Sequence, residues 1–263
     1  MMVSQTANPL ALIGRAVLAM LEQIGKLAIF TGNALRHLLL PPYFPRMVGR
    51  QLLQMGFYSL PVVGLTALFT GMVLALQSYT GFSRFQAEGA VASVVALSMT
   101  RELGPVLAGL MVAGRVGASI AAEIGTMRVT EQIDALWTLS TNPFKYLIAP
   151  RLLAGTLTLP LLVIIADSIG ILGGYLIGVY VLDFNSAAYL QNTVEFLEPI
   201  DVISGLAKAA VFGFIVALMG CYQGYYSGRG AQGVGKATTN AVVTASILIL
   251  TFNYIITELF FAR

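Results

Sequence analysis

Residues 51–83 run for 33 positions without an Asp, Glu, Lys or Arg. A bilayer needs about 20 apolar residues per helix. In lipid every backbone N–H and C=O must be satisfied within the segment, so such a run can cross only as a helix. Two further runs qualify outright: Ala237–Thr257, with 21 residues, and Ala209–Gly228, with 20. Two others are interrupted. Gly89–Thr100 and Leu103–Gly114 flank Arg101-Glu102, and Leu152–Ala166 and Ser168–Leu182 flank Asp167. Each pair of halves is long enough to cross only if its charge lies inside the membrane. The pattern predicts an all-α integral membrane protein with five transmembrane helices, at about 52–78, 89–114, 147–181, 204–226 and 237–259. Pro150 and Pro160 predict a kink or tilt in the third.

Composition agrees. The 263 residues are 57% hydrophobic and 10% charged, against roughly 25% charged in soluble domains. This excludes an ordinary cytosolic enzyme, a disordered chain and a nucleic-acid binder. A single cysteine, Cys221, excludes a disulfide framework and a multi-thiolate metal site. A single histidine, His37, removes most zinc and Ser/His chemistry.

The first 40 residues differ. Arg15, Glu22, Lys26, Asn33 and His37 are spaced 7, 4, 7 and 4, one stripe of a helix whose other positions are mostly apolar. This predicts an amphipathic helix over 10–40 lying in the membrane interface, ended by Pro41-Pro42. A sixth, imperfect span is the alternative. A signal peptide does not fit, because no Lys or Arg precedes Arg15 and Glu22 and Lys26 break the apolar stretch.

Loop charges set the orientation. Arg15, Lys26, Arg36, Arg46, Arg50, Arg115, Arg128, Lys145, Arg151, Arg229 and Lys236 fall on one side, and only Arg84 and Arg263 on the other. The basic side, with the N-terminus, is expected to be cytoplasmic and the C-terminus periplasmic. The loop at 183–201, with Asp183, Glu195, Glu198 and Asp201 and no Lys or Arg, faces outward.

One loop carries two misleading patterns. Residues 228–233 match G-x-G-x-x-G, and residues 230–237 nearly match a P-loop. A phosphate-cradling loop follows a β-strand and opens a soluble helix. This one follows a transmembrane helix, and Ala237 stands where the magnesium-binding hydroxyl should be. It reads as a flexible cytoplasmic loop with Lys236 at the interface. Gly170, Gly174 and Gly178, and again Gly220, Gly224 and Gly228, are four apart. That spacing lets transmembrane helices approach closely, within one protomer or across a subunit interface.

Four charges fall inside predicted spans: Arg101, Glu102, Asp167 and Lys208. Each costs at least ~2.5–3.5 kcal/mol to insert without partners or water. Arg101 and Glu102 point about 100° apart on a helix and pair poorly with each other. Glu102 is expected to pair with Lys208 across helices, lining a substrate cavity or only fixing helix packing. The role of Asp167 stays open. Glu123–Leu139 is expected to form a short cytoplasmic helix between spans two and three. Thr130 would be its N-cap, Glu131, Gln132 and Asp134 would lie near its positive end, and Ile133, Leu136 and Trp137 would form an apolar face. Such a helix suits docking into a partner's groove, or lies on the protein's own membrane face.

Four blocks, GMVLALQSY (71–79), RELGPVLAGLMVAGRVGASIAAEIGTMRVTEQIDAL (101–136), NPFKYLIAPRLLAG (142–155) and GKATTNAVV (235–243), resemble the MlaE (YrbE) family of ABC-transporter permeases. The resemblance covers nearly the whole chain. It implies a single permease domain over 1–263: an interfacial elbow helix, five spans and a coupling helix at about 123–139. It implies a homodimer in a bacterial inner membrane and a cytoplasmic ABC ATPase dimer contacted through Arg128, Glu131, Gln132 and Asp134. It also implies a STAS-domain protein on the ATPase and a periplasmic MCE-domain hexamer. The implied substrate is phospholipid, with family lipid-contact positions falling on Leu74, Phe82 and Phe85 and the charged cluster on Arg101, Glu102 and Lys208. The chain would then be no enzyme and hold no cofactor or metal, with ATP and magnesium on the partner, and its work would bear on outer-membrane lipid asymmetry. Other classes make different predictions: an ion-coupled secondary transporter would work without an ATPase, a lipid enzyme would need an interfacial catalytic constellation, and a passive scaffold for an MCE assembly would ignore changes in the coupling helix.

Overall fold

The computed structural model describes residues 9–41 and 44–261. Pro42 and Arg263, used above for a helix end and for orientation, lie outside the described residues. The described chain is helical without strands, and five helices are long and apolar enough to cross a membrane: Pro45–Phe85, Ala90–Val129, Phe144–Tyr180, Pro199–Tyr225 and Gly230–Phe261. It is a multi-pass membrane protein. The end of the bundle where the first span begins is called here the basic end, the opposite one the acidic end.

The N-terminal helix, Pro9–Leu39, packs on the bundle through a narrow seam. Phe30 and Ala34 are buried, while Val17, Leu18, Leu21, Ile24 and Ile29 stay exposed. Phe30 sits among Phe144, Tyr222, Tyr225 and Tyr226, with ring centroids 5.3–6.0 Å away. His37 fixes the far end of the seam. Its Nδ1 lies 2.7 Å from the Asn33 carbonyl, and its Nε2 lies 3.0 Å from Asn142 Nδ2. Those contacts fit the tautomer protonated at Nδ1.

The first span is broken, unlike the continuous helix expected over 52–78. Pro45–Met55 ends at Gly56, one 3₁₀ turn follows at Phe57–Ser59, and Leu60–Phe82 completes the crossing. Pro61 explains the break: it has no N–H to donate, and its ring would meet the carbonyl four residues back. The second span is longer than expected. Its 40 residues reach Val129, about 60 Å of helix, twice the hydrocarbon thickness. It therefore absorbs Glu123–Val129, and the separate short helix covers only Gln132–Thr138. Nor does Thr130 cap that helix. Its hydroxyl donates to the Thr126 carbonyl of the preceding helix at 2.9 Å, and Glu131 turns the corner at φ 58°.

The third span opens with a π-turn at Phe144–Ile148 and continues to Tyr180, with Pro150 in the first α-helical turn and Pro160 inside. Spans three and four meet backbone to backbone at Gly155 and Gly213: a Cβ on Gly155 would lie 2.7 Å from the Gly213 carbonyl oxygen. The glycine rows read from sequence pack within the protomer. Gly170, Gly174 and Gly178 face Met99, Val95 and Tyr189, and Gly220 and Gly224 face the second span at Ile120 and Ile124. Gly228 lies beyond the fourth span. The last span begins at Gly230, so the glycine-rich segment expected to be a loop is already helical at Lys236. Only a stripe of small residues at four-residue spacing, Ala237, Ala241 and Ala245, with Ile249, is buried from that helix. The rest of its surface is exposed and apolar, as lipid or a second subunit requires. A further helix, Ser186–Glu195, occupies the acidic-end loop and is capped by the Asn185 side chain.

Candidate functional site

The sequence places Pro105 four residues after Arg101, so the Arg101 carbonyl loses its α-helical donor. Around it the second span widens into a π-turn, Met99–Leu103. Such turns often mark functional positions. Lys208 of the fourth span fills the vacancy, its Nζ donating to the Arg101 carbonyl at 2.7 Å. The same ammonium donates to Glu102 Oε1 at 2.7 Å. The cross-helix pair of Glu102 and Lys208 is therefore present, together with a backbone contact that the sequence did not suggest.

The carboxylate of Glu102 accepts two more hydrogen bonds. Thr257 Oγ1 donates to Oε1 at 2.9 Å and Asn253 Nδ2 to Oε2 at 2.8 Å, both from the last span. Arg101 turns the other way. Its Nε and Nη2 both approach Asp201 Oδ1 at 2.7 Å, and its guanidinium stacks 4.5 Å above the Phe261 ring. Asp201 Oδ2 accepts the Glu198 backbone N–H at 3.0 Å, half of a capping box that starts the fourth span. Two cations and two carboxylates are thus balanced in pairs. Lys208 and Asp201 are 0% exposed, while the side chains of Glu102 and Arg101 are 38% and 35% exposed. The inner members are enclosed, and the outer members lie at the surface of the bundle. Glycine permits this: a Cβ on Gly205 would collide with the Thr100 carbonyl of the π-turn. Counted along their helices, Glu102, Lys208 and Asn253 lie about 12–18 Å below the acidic end.

Asp201, Asn253, Thr257 and Phe261 were missed from sequence. Asp201 read as one acid among four in an outer loop. The available signal was Glu198-Pro199-x-Asp201, a capping box with proline in the first turn. Asn253 and Thr257 are one helical turn apart and share a face.

Leu74 and Phe82 lie on the first span, partly buried against the core, and Phe85 is 79% exposed in the turn that follows. Leu74 lies about 12 Å below Phe82, at the depth of the cluster. Asp167 is separate. It faces Gly104, where a Cβ would collide with it, and its buried Oδ1 has no hydrogen-bond partner among the described residues.

At the basic end, Arg128, Glu131, Gln132 and Asp134 are all exposed. Arg128 Nη1 and Asp134 Oδ1 are 2.8 Å apart, tying the short helix to the span it follows. Ile133 is buried and Leu136 partly so, but Trp137 is 50% exposed and Leu139 more. The expected apolar face is therefore split, half holding the helix down and half facing out. Two charges assigned to the loops there are built into the bundle. Arg115 lies in a second π-turn, Ala113–Gly117, and its Nη1 donates to Ser59 Oγ at 2.8 Å. Arg151 is buried, its Nη2 2.8 Å from Glu123 Oε1 and its Nη1 donating to the Leu147 carbonyl. Among the described residues no group of three or more His, Cys, Asp or Glu could hold a metal ion.

Five spans with paired charges in an apolar interior, beside an exposed short helix at one end, fit the membrane subunit of a transporter. Comparison with known proteins makes the class specific. Residues 48–259 match the family described as Permease MlaE, and the chain belongs to that family of ABC-transporter permeases. It is 64% identical over 249 residues to a probable ABC transporter permease protein of Rickettsia bellii, covering 95% of this chain and 96% of that protein. It is 36% identical over 258 residues to the intermembrane phospholipid transport system permease protein MlaE of Haemophilus influenzae, covering 97% and 98%. A probable ABC transporter permease protein of Synechocystis is 40% identical over 231 residues, 88% of each chain. As a permease subunit this chain is not itself the ATPase, and its class implies an ATPase partner.

Proposed function

We propose that this chain moves phospholipids between the inner membrane and a periplasmic MCE-protein carrier, and so contributes to outer-membrane lipid asymmetry. The whole chain acts as one permease domain. It works as a homodimer, the two copies enclosing an apolar cavity open toward the acidic end. Acyl chains lie against Leu74, Phe82 and Phe85. Arg101 meets the head group with the guanidinium N–H groups not engaged by Asp201, while Lys208 holds Glu102 in place. Arg128, Glu131, Gln132 and Asp134 contact a cytoplasmic ABC ATPase dimer that carries a STAS-domain protein, and an MCE hexamer caps the acidic end. The N-terminus is then cytoplasmic and the C-terminus periplasmic, which the distribution of Lys and Arg supports, nine against two once Arg115 and Arg151 are set aside. ATP binding moves the short helix, collapses the cavity and expels the lipid; only a partner with different contacts in the two states can drive such a change.

The observation that carries this reading is the cluster itself: a half-open Arg101 and Glu102 held by an enclosed Asp201 and Lys208, deep in an apolar bundle. Reconstitution with the ATPase in proteoliposomes tests it, by lipid-stimulated ATP hydrolysis and by transfer of a fluorescent phospholipid to an acceptor. Glu102→Ala and Glu102→Gln are expected to lower transfer in protein that is inserted normally. Normal transfer in both would reject the role, and transfer under an ion gradient without the ATPase would favour a secondary transporter.

A further inference from the structure

A cleft lies at the basic end of the bundle, away from the charged cluster. It has a volume of about 600 Å³ and lies between the N-terminal helix and the last two spans. That is within the roughly 300–1,000 Å³ of small-molecule sites. Its lining is graded. On the fourth span it runs from Met219 through Tyr222 and Gln223 to Tyr226, and on the last span from Leu248 through Thr244 to Asn240. The two helices are antiparallel, so both become polar in the same direction, over about 10–12 Å. The polar rim lies at the basic end, where Gln23 and Lys26 of the N-terminal helix close it. The tyrosines belong to the aromatic group around Phe30, and aromatic side chains of this kind collect where bilayer meets water.

We propose that this cleft binds one phospholipid from the adjoining leaflet. An acyl chain lies along Met219, Ile247 and Leu248. The phosphate sits at the rim, where the Lys26 ammonium and the amides of Gln23 and Asn240 supply donors. Glu22, outside the lining, pairs with Lys26 at 2.6 Å, but both side chains are more than half exposed, and the ammonium has three N–H donors, so it can turn to a phosphate. A stem that reaches across the surface and a charge at its tip let a lysine on an interfacial helix serve a head group in this way. The site does not depend on the transport role proposed for the charged cluster, and it would bind lipid whether or not the chain transports it.

Photocrosslinking tests the proposal in the full chain with its ATPase, in nanodiscs of phosphatidylethanolamine and phosphatidylglycerol. The probes are phosphatidylglycerol and diacylglycerol carrying the same acyl-chain diazirine. Phosphatidylglycerol is expected to label residues 215–226 and 240–250 in preference to the exposed apolar surface of the first span, and more strongly than diacylglycerol does. Lys26→Ala should lower that labelling about fivefold, the worth of one basic residue near an anionic surface, and Lys26→Arg should restore it. Lys26 is an exposed surface residue, so these variants leave the fold intact. Ile247→Trp, at a position 60% exposed, should block the cleft without disturbing the core. Equal labelling by the two probes, no response to Lys26→Ala, or crosslinks joining two copies of the chain through this cleft would each overturn the proposal.

Discussion

Lys208→Met gives the most direct reading of the cluster. Methionine keeps the length and apolar stem of lysine and removes only the ammonium. Two charge-assisted hydrogen bonds are lost, each worth about 1.5–3 kcal/mol. The Arg101 carbonyl becomes an orphan, because Pro105 has no N–H to give it. Against this, the variant no longer has to keep a charge out of water, a cost of several kcal/mol. Glu102 retains Asn253 and Thr257 as donors and is only partly buried, so its own loss is softened. The net destabilisation is about 2–4 kcal/mol. For a chain of this size that lowers the melting temperature by about 5–15 °C. The molecule supplies its own reporter: Cys221 is its one cysteine and is buried, so a thiol-reactive dye fluoresces only on unfolding. Glu102→Gln leaves Lys208 without a counter-charge and should melt early as well. In the double variant neither charge remains, and it should melt above Lys208→Met, with a coupling of about 1–3 kcal/mol. A Lys208→Met melting point within about 1 °C of the unmodified chain, or strictly additive losses, would refute the assignment of this pair as the anchor of the π-turn.

Gly155→Leu should abolish folding or cost about 3 kcal/mol or more, because its side chain would start within contact of the Gly213 backbone; recovery of monodisperse protein with an unchanged melt would contradict that crossing. Burial pushes the Tyr189 phenol, in the acidic-end helix, up to about 12, and its hydroxyl has no partner among the described residues. Unfolding frees a phenol that ionises near 10, so the folded state should lose stability as pH rises from about 10 to 12; Tyr189→Phe should flatten that part of a melt-against-pH scan and be neutral or stabilising below it. Glu123→Ala leaves Arg151 buried with only the Leu147 carbonyl, and should cost about 2–3 kcal/mol, less than the 3–5 kcal/mol of a fully enclosed pair because Glu123 is half exposed; an unchanged Cys221 melt would refute that pairing.

The spans were legible because lipid leaves the backbone no alternative to helix, so charge-free length alone reports them. Their ends were not, because the end of an apolar run is not the end of a helix. The second span continues from Arg115 to Val129 because its small and mixed residues still pack, against Gly220, Gly224 and Ser227. The break at Gly56–Ser59 was visible in principle through Pro61. The cluster was half legible. Arg101, Glu102 and Lys208 stand out as charges within apolar stretches, whereas Asp201, Asn253 and Thr257 are ordinary residues for their positions and gain meaning only from a helix 100 to 155 residues away in sequence. Arg115 and Arg151 were misplaced for a related reason. Positive charges at the ends of apolar runs are usually loop residues, and only the packed structure shows Ser59 and Glu123 waiting for them.

These misplaced charges change how the two ends of the molecule are connected. From Glu102 to Val129 the second span is one helix about 40 Å long, and the short helix hangs from its far end. Along that length three ties fasten it, each to a different span: Glu102 to Lys208 of the fourth, Arg115 to Ser59 of the first, and Glu123 to Arg151 of the third. A helix is stiff over this distance, so a displacement imposed at 132–138 must either move those partners or bend the span between the ties. Bending concentrates where the hydrogen-bond ladder is irregular, and this span has two such places, the π-turns at Met99–Leu103 and Ala113–Gly117. The first holds Glu102 and the second holds Arg115. Two of the three attachments therefore sit at compliant points of the helix, and a push at the basic end would reach Arg101 and Glu102 through a change of turn geometry rather than by sliding a rigid rod.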